Sequence, residues 1–368
     1  MLTQKFKLLT RRAVAATYYA TNHYLTRLKG KVIILMYHRV VTEKELNQYY
    51  IQPGMYVKKD VFEMQMKFLK EHFEIISLSE LLKLWKDKKI DESKRYCVIT
   101  FDDGWLDNYI YAYPILKKHN IPATIFLPTS YIGTNQWFWP DKLSYLLNHY
   151  YNNGNGALHK YKVSIPLLVK EARLPSVGQG LWENTKGNKF QTLISGKDIE
   201  ESIESAIETC KGLPDEEINK LIASLSEALG KKIPVERLLL NWQEIEELSE
   251  NGISFGSHSC NHIILTKLGA EELQNETAAS LHVLKEKRIN YVPVFCYPNG
   301  DYADKIIEQV KQAGYTAAVS TRFGCEGNTT KELFDLKRIG IHNDISSTIP
   351  LFIFHLSGIV QNKIKAKV

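Results

Sequence analysis

The chain has 368 residues, 44% of them hydrophobic and 24% charged, with a formal net charge of +6. That balance supplies the apolar surface for one α/β domain of barrel size with additions, and it excludes a disordered tail. Much of the excess charge sits at the ends, from Lys5 to Lys31 and at Lys363, Lys365 and Lys367, and aromatics are not interleaved with it as in a nucleic-acid module, so no nucleic-acid partner is expected.

Residues 1–30 read as a basic extension. Their apolar stretch, Ala13 to Ala20, is soon followed by Asn22, His23 and Arg27, which leaves neither a signal-peptide core nor a membrane span. A cationic amphipathic helix in peripheral contact with a membrane fits the same residues, so the expected localisation is cytoplasmic or membrane-peripheral. From 31 to 348 strand-like and helix-like runs alternate, as a (β/α) barrel requires. Phe62, Met66 and Leu69 share one helical face, and Ile75-Ile76-Ser77 leads into a second helix at Leu78.

Tyr96 to Phe101 is an uncharged, β-branched run, the pattern of a strand buried on both faces of a parallel sheet, and Gly104 ends it. Asp102 and Asp103 therefore stand at the carboxyl end of a strand, where catalytic groups of α/β folds gather. Alone, Asp-Asp-Gly reads equally well as a turn with a helix cap. The segment 145–240 interrupts the barrel rhythm as an insertion. It contains loops at Asn152–Gly156 and Gly178–Gly180, then two amphipathic helices between Asp198 and Leu229 broken at Gly212-Leu213-Pro214. Trp137 and Trp139 at its entrance are indoles that either stack on a sugar or anchor the insertion.

Asn241 to Glu244 reads as a capping box opening a helix that ends near Asn251-Gly252. The following strand-like run, Gly252 to Gly256, delivers His258 and His262, spaced by four positions, which one helical turn brings onto one face and which suits a divalent metal. A helix over Ile306–Ala313, a strand over Thr316–Val319 and a strand over Leu336–Ile341 follow, the last leading to His342. Residues 349–368 form a tail whose apolar part is too short to span a bilayer and is expected to pack on the barrel. Five cysteines with no C-x-x-C spacing indicate a reducing compartment and no thiolate zinc site; Cys260, between the two histidines, is at most an adventitious ligand.

Thr100-Phe101-Asp102-Asp103-Gly104 followed by His258-Ser259-Cys260-Asn261-His262 resembles the first two motifs of the polysaccharide deacetylases of carbohydrate esterase family four, the NodB-homology domain. Leu35-Met36-Tyr37-His38-Arg39 resembles the opening strand of the subgroup containing poly-N-acetylglucosamine deacetylases. Pro122 to Phe126 is similar to the family's second barrel strand, and Phe295 to Gly300 to its third motif. The resemblance implies a distorted, seven-stranded (β/α) barrel over 31–348 with a largely helical insertion at 145–240.

It also implies a divalent metal, zinc by preference, held by Asp103, His258 and His262, with Asp102 as base. His342, near the family's late motif position, is the candidate general acid, and His38 is its rival. The turn Tyr297-Pro298-Asn299 would supply oxyanion and substrate contacts through the backbone N–H of Asn299; Trp139 is a candidate sugar contact from its residue type and place alone, beside its reading as an anchor of the insertion. The family's third motif usually begins with an Arg that holds the base; Cys296 stands there, so Arg338 or Arg39 is expected to supply that charge. The implied activity is hydrolysis of N-acetyl groups from a sugar in a glycan or its precursor. The alternatives are hydrolysis of another non-peptide amide, or a silent glycan-binding homologue, and the oligomeric state is not legible.

Overall fold

The computed structural model describes residues 2–153, 199–330 and 332–359. The loop residues Gly154–Gly156, the Gly178–Gly180 stretch and the tail beyond 359 lie outside them. Among the described residues ten strands form, in chain order: β1 (Val32–Tyr37), β2 (Arg39–Val41), β3 (Tyr56–Lys58), β4 (Glu74–Ile75), β5 (Tyr96–Phe101), β6 (Ala123–Leu127), β7 (Ile253–Ser257), β8 (Tyr291–Cys296), β9 (Ala317–Phe323) and β10 (Leu336–Gly340).

Seven of them, β1, β5, β6, β7, β8, β9 and β10, pair in parallel and close on themselves, since β1 pairs with both β5 and β10. The expected seven-stranded barrel is borne out. Beside it, β4 pairs with β5 at Tyr96 and Cys97, while β6 takes Ile99 to Phe101 of the same strand. β2 and β3 form a separate parallel pair.

The strand period of two divides each strand between two apolar layers. Val32, Ile34, Val98, Val294, Cys296 and Val319 belong to the inner layer, closed at one end by Leu78, Leu81 and Trp85. Ile33, Leu35, Ile99 and Phe101 belong to the layer that meets the helices, including Phe62, Met66 and Leu69 of helix Lys59–His72, which are fully buried as their spacing requires. Each such burial is worth about 1.5–3 kcal/mol.

The amino-terminal residues form helix Leu2–Ala20, whose buried Ala15 packs with Leu351 and Phe354 of helix Ile349–Leu356, while Leu8, Leu9 and Val14 are exposed. Phe352, Ile353 and Leu356 of the carboxyl-terminal helix join the main core, as expected of that apolar run. Among the described residues, no helix is long and apolar enough to cross a membrane.

Two compact units emerge. One comprises residues 1–43, 53–135 and 237–368, and the other 44–52 and 136–236. The second holds helices Trp139–Asn153, Ile199–Cys210 and Asp215–Ala228, the last two broken at Gly212–Pro214, around Leu146, Ile203, Ile207, Leu221 and Leu225.

Candidate metal centre

β5 ends at Phe101, and the chain turns through Asp103 (φ 73°) and Gly104 (φ 66°), both left-handed. At Gly104 the left-handed backbone and a Cβ that would meet Leu127 Cδ2 at 2.8 Å both favour glycine in this turn. The turn brings both carboxylates to the barrel rim, where Asp102 and Asp103 are 2% and 3% exposed.

His258 and His262 meet differently from the expected helical turn. Residues 258–262 are a loop with Ser259 (φ 63°) and His262 (φ 56°) left-handed. Ser257 Oγ accepts from the Ser259 N–H and Ser259 Oγ from the His262 N–H, at 3.2 and 3.0 Å. Buried Glu276 accepts from the N–H groups of Cys260 and Asn261, each at 2.8 Å. Side-chain acceptors thus compete with helical backbone bonds for these donors and win. The rings still converge, with centroids 4.7 Å apart.

Asp103 Oδ1 lies 3.3 Å from His258 Nε2 and 3.2 Å from His262 Nε2, a set that could hold a metal ion. The residues fit a divalent cation on two observations. Asp103 Oδ1 is buried without a hydrogen-bond partner, whereas its Oδ2 accepts from Trp105 Nε1 at 3.0 Å. His258 Nδ1 is 2.8 Å from the carbonyl oxygen of Cys296, which fixes the proton on Nδ1 and turns the Nε2 lone pair toward Asp103. Burial penalises the charge on Asp103, but the two imidazoles outweigh it and hold the carboxyl well below its usual range.

A second donor group, Asp102, His258 and Cys296, shares His258. Asp102 is already committed. Arg338 reaches it from β10 with Nη1 to Oδ1 at 2.6 Å and Nη2 to Oδ2 at 2.8 Å, a bidentate pair that would repel a cation there. Burial raises the Asp102 pKa, yet Arg338 outweighs it and the net shift is downward. Cys296 Sγ stands 3.2 Å from Arg338 Nη2 and 3.5 Å from Asp102 Oδ2, and burial keeps the thiol protonated. Arg338 is anchored in turn by the Ser320 carbonyl at 3.0 Å.

Of the two arginines proposed for this charge, the structure brings Arg338 to Asp102; Arg39 pairs with Asp107 at 2.7 Å and lies over the Trp105 ring. Of the two histidines, His38 Nε2 is 4.0 Å from Asp102 Oδ2. Burial pushes the His38 pKa down against the pull of both carboxylates. His342 pairs instead with Asp344 and lines a neighbouring cavity.

Tyr297 and Pro298 are buried, and Tyr297 OH donates to the Phe334 carbonyl at 3.0 Å. Asn299 is left-handed (φ 59°), and a Cβ on the following Gly300 would strike Thr321. Trp139 packs, half-buried, in the apolar cluster of the helical unit, where Trp137 Nε1 donates to the Glu236 carbonyl at 3.0 Å. Trp105, Glu276 and the Cys296 carbonyl were not legible as site groups, because their contacts are backbone or cross-strand. Only the place of Trp105, two residues after Asp103, hinted at its role.

A family model described as polysaccharide deacetylase matches residues 89–161 and 208–318. YxkH of Bacillus subtilis (strain 168) is 35% identical over 126 residues, 34% of this chain and 41% of that protein. The poly-beta-1,6-N-acetyl-D-glucosamine N-deacetylase of Staphylococcus aureus (strain MSSA476) is 36% identical over 126 residues, 32% of this chain and 42% of the relative. The match thus spans about two fifths of the length of these curated relatives. Among solved structures, the Streptococcus pyogenes deacetylase PplD in complex with acetate superimposes with a TM-score of 0.53 at 19% identity, covering 89% of this chain and 98% of that one. At that identity the likeness concerns the fold.

Proposed function

The chain belongs to the polysaccharide deacetylase family, and from that premise we propose that it is a metal-dependent hydrolase that removes N-acetyl groups from a glycan or a glycan precursor. The observation that carries the reading is the orphaned Oδ1 of Asp103 facing two imidazole Nε2 atoms, with Asp102 clamped beside it by Arg338.

In this reading Asp103, His258 and His262 hold the cation, zinc being the ion that a carboxylate and two imidazoles suit best. A bound divalent ion supplies Lewis acidity toward the acetyl carbonyl and toward water. Asp102, kept ionised by Arg338, accepts the proton released as water adds to the amide carbon. Arg338 is a positioning residue: its planar fork fixes both carboxylate oxygens, so the base cannot swing onto the cation. His38, beside Asp102, relays to the departing amine the proton that Asp102 has taken from water, and the distance of 4.0 Å to Asp102 favours it over His342 for that step. The backbone N–H of Asn299, in its left-handed turn at the rim, supports the oxyanion.

The S. aureus relative's name supports a glycan of N-acetylglucosamine as substrate. The test is free-amine and acetate analysis after incubation of zinc-loaded protein with N-acetylated oligosaccharides, set beside non-sugar acetamides and cyclic amides. Turnover confined to the oligosaccharides is expected. Cleavage of the other amides alone would replace the substrate class, and none at all would favour a silent glycan-binding protein.

A further inference from the structure

A cavity of about 430 Å³ lies beside the catalytic rim. Met36 and Gly340, paired Cα partners on β1 and β10, line it, and each stands two residues before a histidine of the rim, His38 and His342. Arg11, His342, His355 and Thr321 supply its polar lining, and Phe323 and Phe354 much of its apolar lining. Its lining joins the ends of barrel strands β1, β9 and β10 to Arg11 of the amino-terminal helix and to Phe354 and His355 of the carboxyl-terminal one, and every lining residue but Thr321, Phe323 and the others beyond residue 318 that the match does not reach lies before residue 89, so all fall outside the stretches matched by the family model.

Arg11 is the informative group. Its Nε is buried without a hydrogen-bond partner, and its Nη2 makes one long contact, 3.4 Å to the Ile345 carbonyl. The nearby carboxylate of Asp344 is engaged by His342, and His355 Nε2 lies 2.8 Å from the Gly340 carbonyl, leaving its Nδ1 available as an acceptor or a site of protonation. A guanidinium is always charged, and burying one of its N–H groups unpaired is costly unless an anion completes the site. The cavity is of the size and mixed lining that a small ligand's polar head and carbon body require.

We propose that this cavity is a subsite for an oxyanion, carboxylate or phosphate, carried by the substrate sugar or its neighbour, and that Arg11 reads it. The preferred substrates are then acidic N-acetylated glycans. The sugar in this statement rests on the deacetylase reading; the anion site does not.

The test is equilibrium binding, by ligand-observed NMR, to the Asp102→Asn protein, in which turnover does not interfere. The ligands are N-acetylglucosamine, its 3-O-lactyl ether, its 6-phosphate, and inorganic phosphate. At least one charged sugar should bind about tenfold more tightly than the neutral one, the scale of a charge-assisted hydrogen-bond pair. Adding Arg11→Gln should erase that preference without weakening the neutral sugar, and Arg11→Lys should retain part of it.

No preference for charge, or a preference that survives Arg11→Gln, would overturn the subsite. Inorganic phosphate binding as tightly as the sugar phosphate would make the ligand a free anion and overturn its attachment to the sugar. Acetate release by the wild-type protein from the same sugars is measured separately. Arg11-dependent binding without acetate release upholds the anion site and overturns only the catalytic reading.

Discussion

Replacing Arg338 by Met removes the guanidinium, keeps a side chain of similar length, and leaves the Asp102 carboxylate buried with no cation. Arg338 is 1% exposed and Asp102 2%, so water cannot take the place of the lost bonds. Breaking a buried, hydrogen-bonded pair from one side costs about 3–5 kcal/mol. With an unfolding entropy of about 2.1 cal/mol/K per residue, a chain of 368 residues changes by about 0.8 kcal/mol per degree near its midpoint, so the melting temperature should fall by about 4–6 °C. The double variant Arg338→Met/Asp102→Asn no longer buries an unpaired charge and should recover about 2 kcal/mol or more of the loss. Calorimetric melting of the wild type, both single variants and the double variant measures this. Reasoning from an uncompensated carboxylate is refuted if Arg338→Met melts within a degree of the wild type, or if the double variant melts as low as that single variant.

Asp103→Asn should lose both tightly bound zinc and activity, whereas Asp102→Asn should keep the metal and lose turnover; equal metal content in the two would reverse or erase the roles. His38→Ala should lower turnover by roughly 10²–10⁴-fold with metal content unchanged, and His342→Ala should act mainly on the affinity for acidic substrates; the opposite pattern returns the acid role to His342. His355 is held down to about 4 by burial, against an ordinary value of about 6.5, so the unfolded chain takes up a proton that the folded one refuses between those values. Stability should therefore fall as pH drops through that window, by about 1–3 kcal/mol from this group, and His355→Gln should flatten the slope of melting temperature between pH 7 and 4.5.

The barrel was legible because its strands are short apolar runs ended by glycine or polar turns, and because the capping box at Asn241 sets the helix before β7. The convergence of Asp102 and Asp103 with His258 and His262 was legible from residue type and order, but not its local cause. The four-residue spacing suggested a helix, while Ser257, Ser259 and Glu276 hold a loop through hydrogen bonds that no periodicity reveals.

Arg338 and Arg39 were equal candidates in one dimension. Barrel closure decides between them by seating β10 against β1, which is itself paired with β5, so that a side chain 236 positions away reaches the base. The same closure sets His38 beside Asp102, and the preference for His342 rested on motif order, which does not register such neighbours. The packing of the basic amino-terminal helix on the carboxyl-terminal one, through Ala15 with Leu351 and Phe354, and the cavity around Arg11, whose Nη2 reaches the Ile345 carbonyl, depend on contacts more than 300 residues apart.

Acetate released from an N-acetylglucosamine oligosaccharide, measured as zinc is added back to chelator-stripped protein, tests metal-dependent deacetylation most directly. Release should be absent without metal, rise with added zinc, and level off at one equivalent per chain. Turnover by protein shown to be metal-free, or none at any zinc level on any N-acetylated glycan, would contradict it.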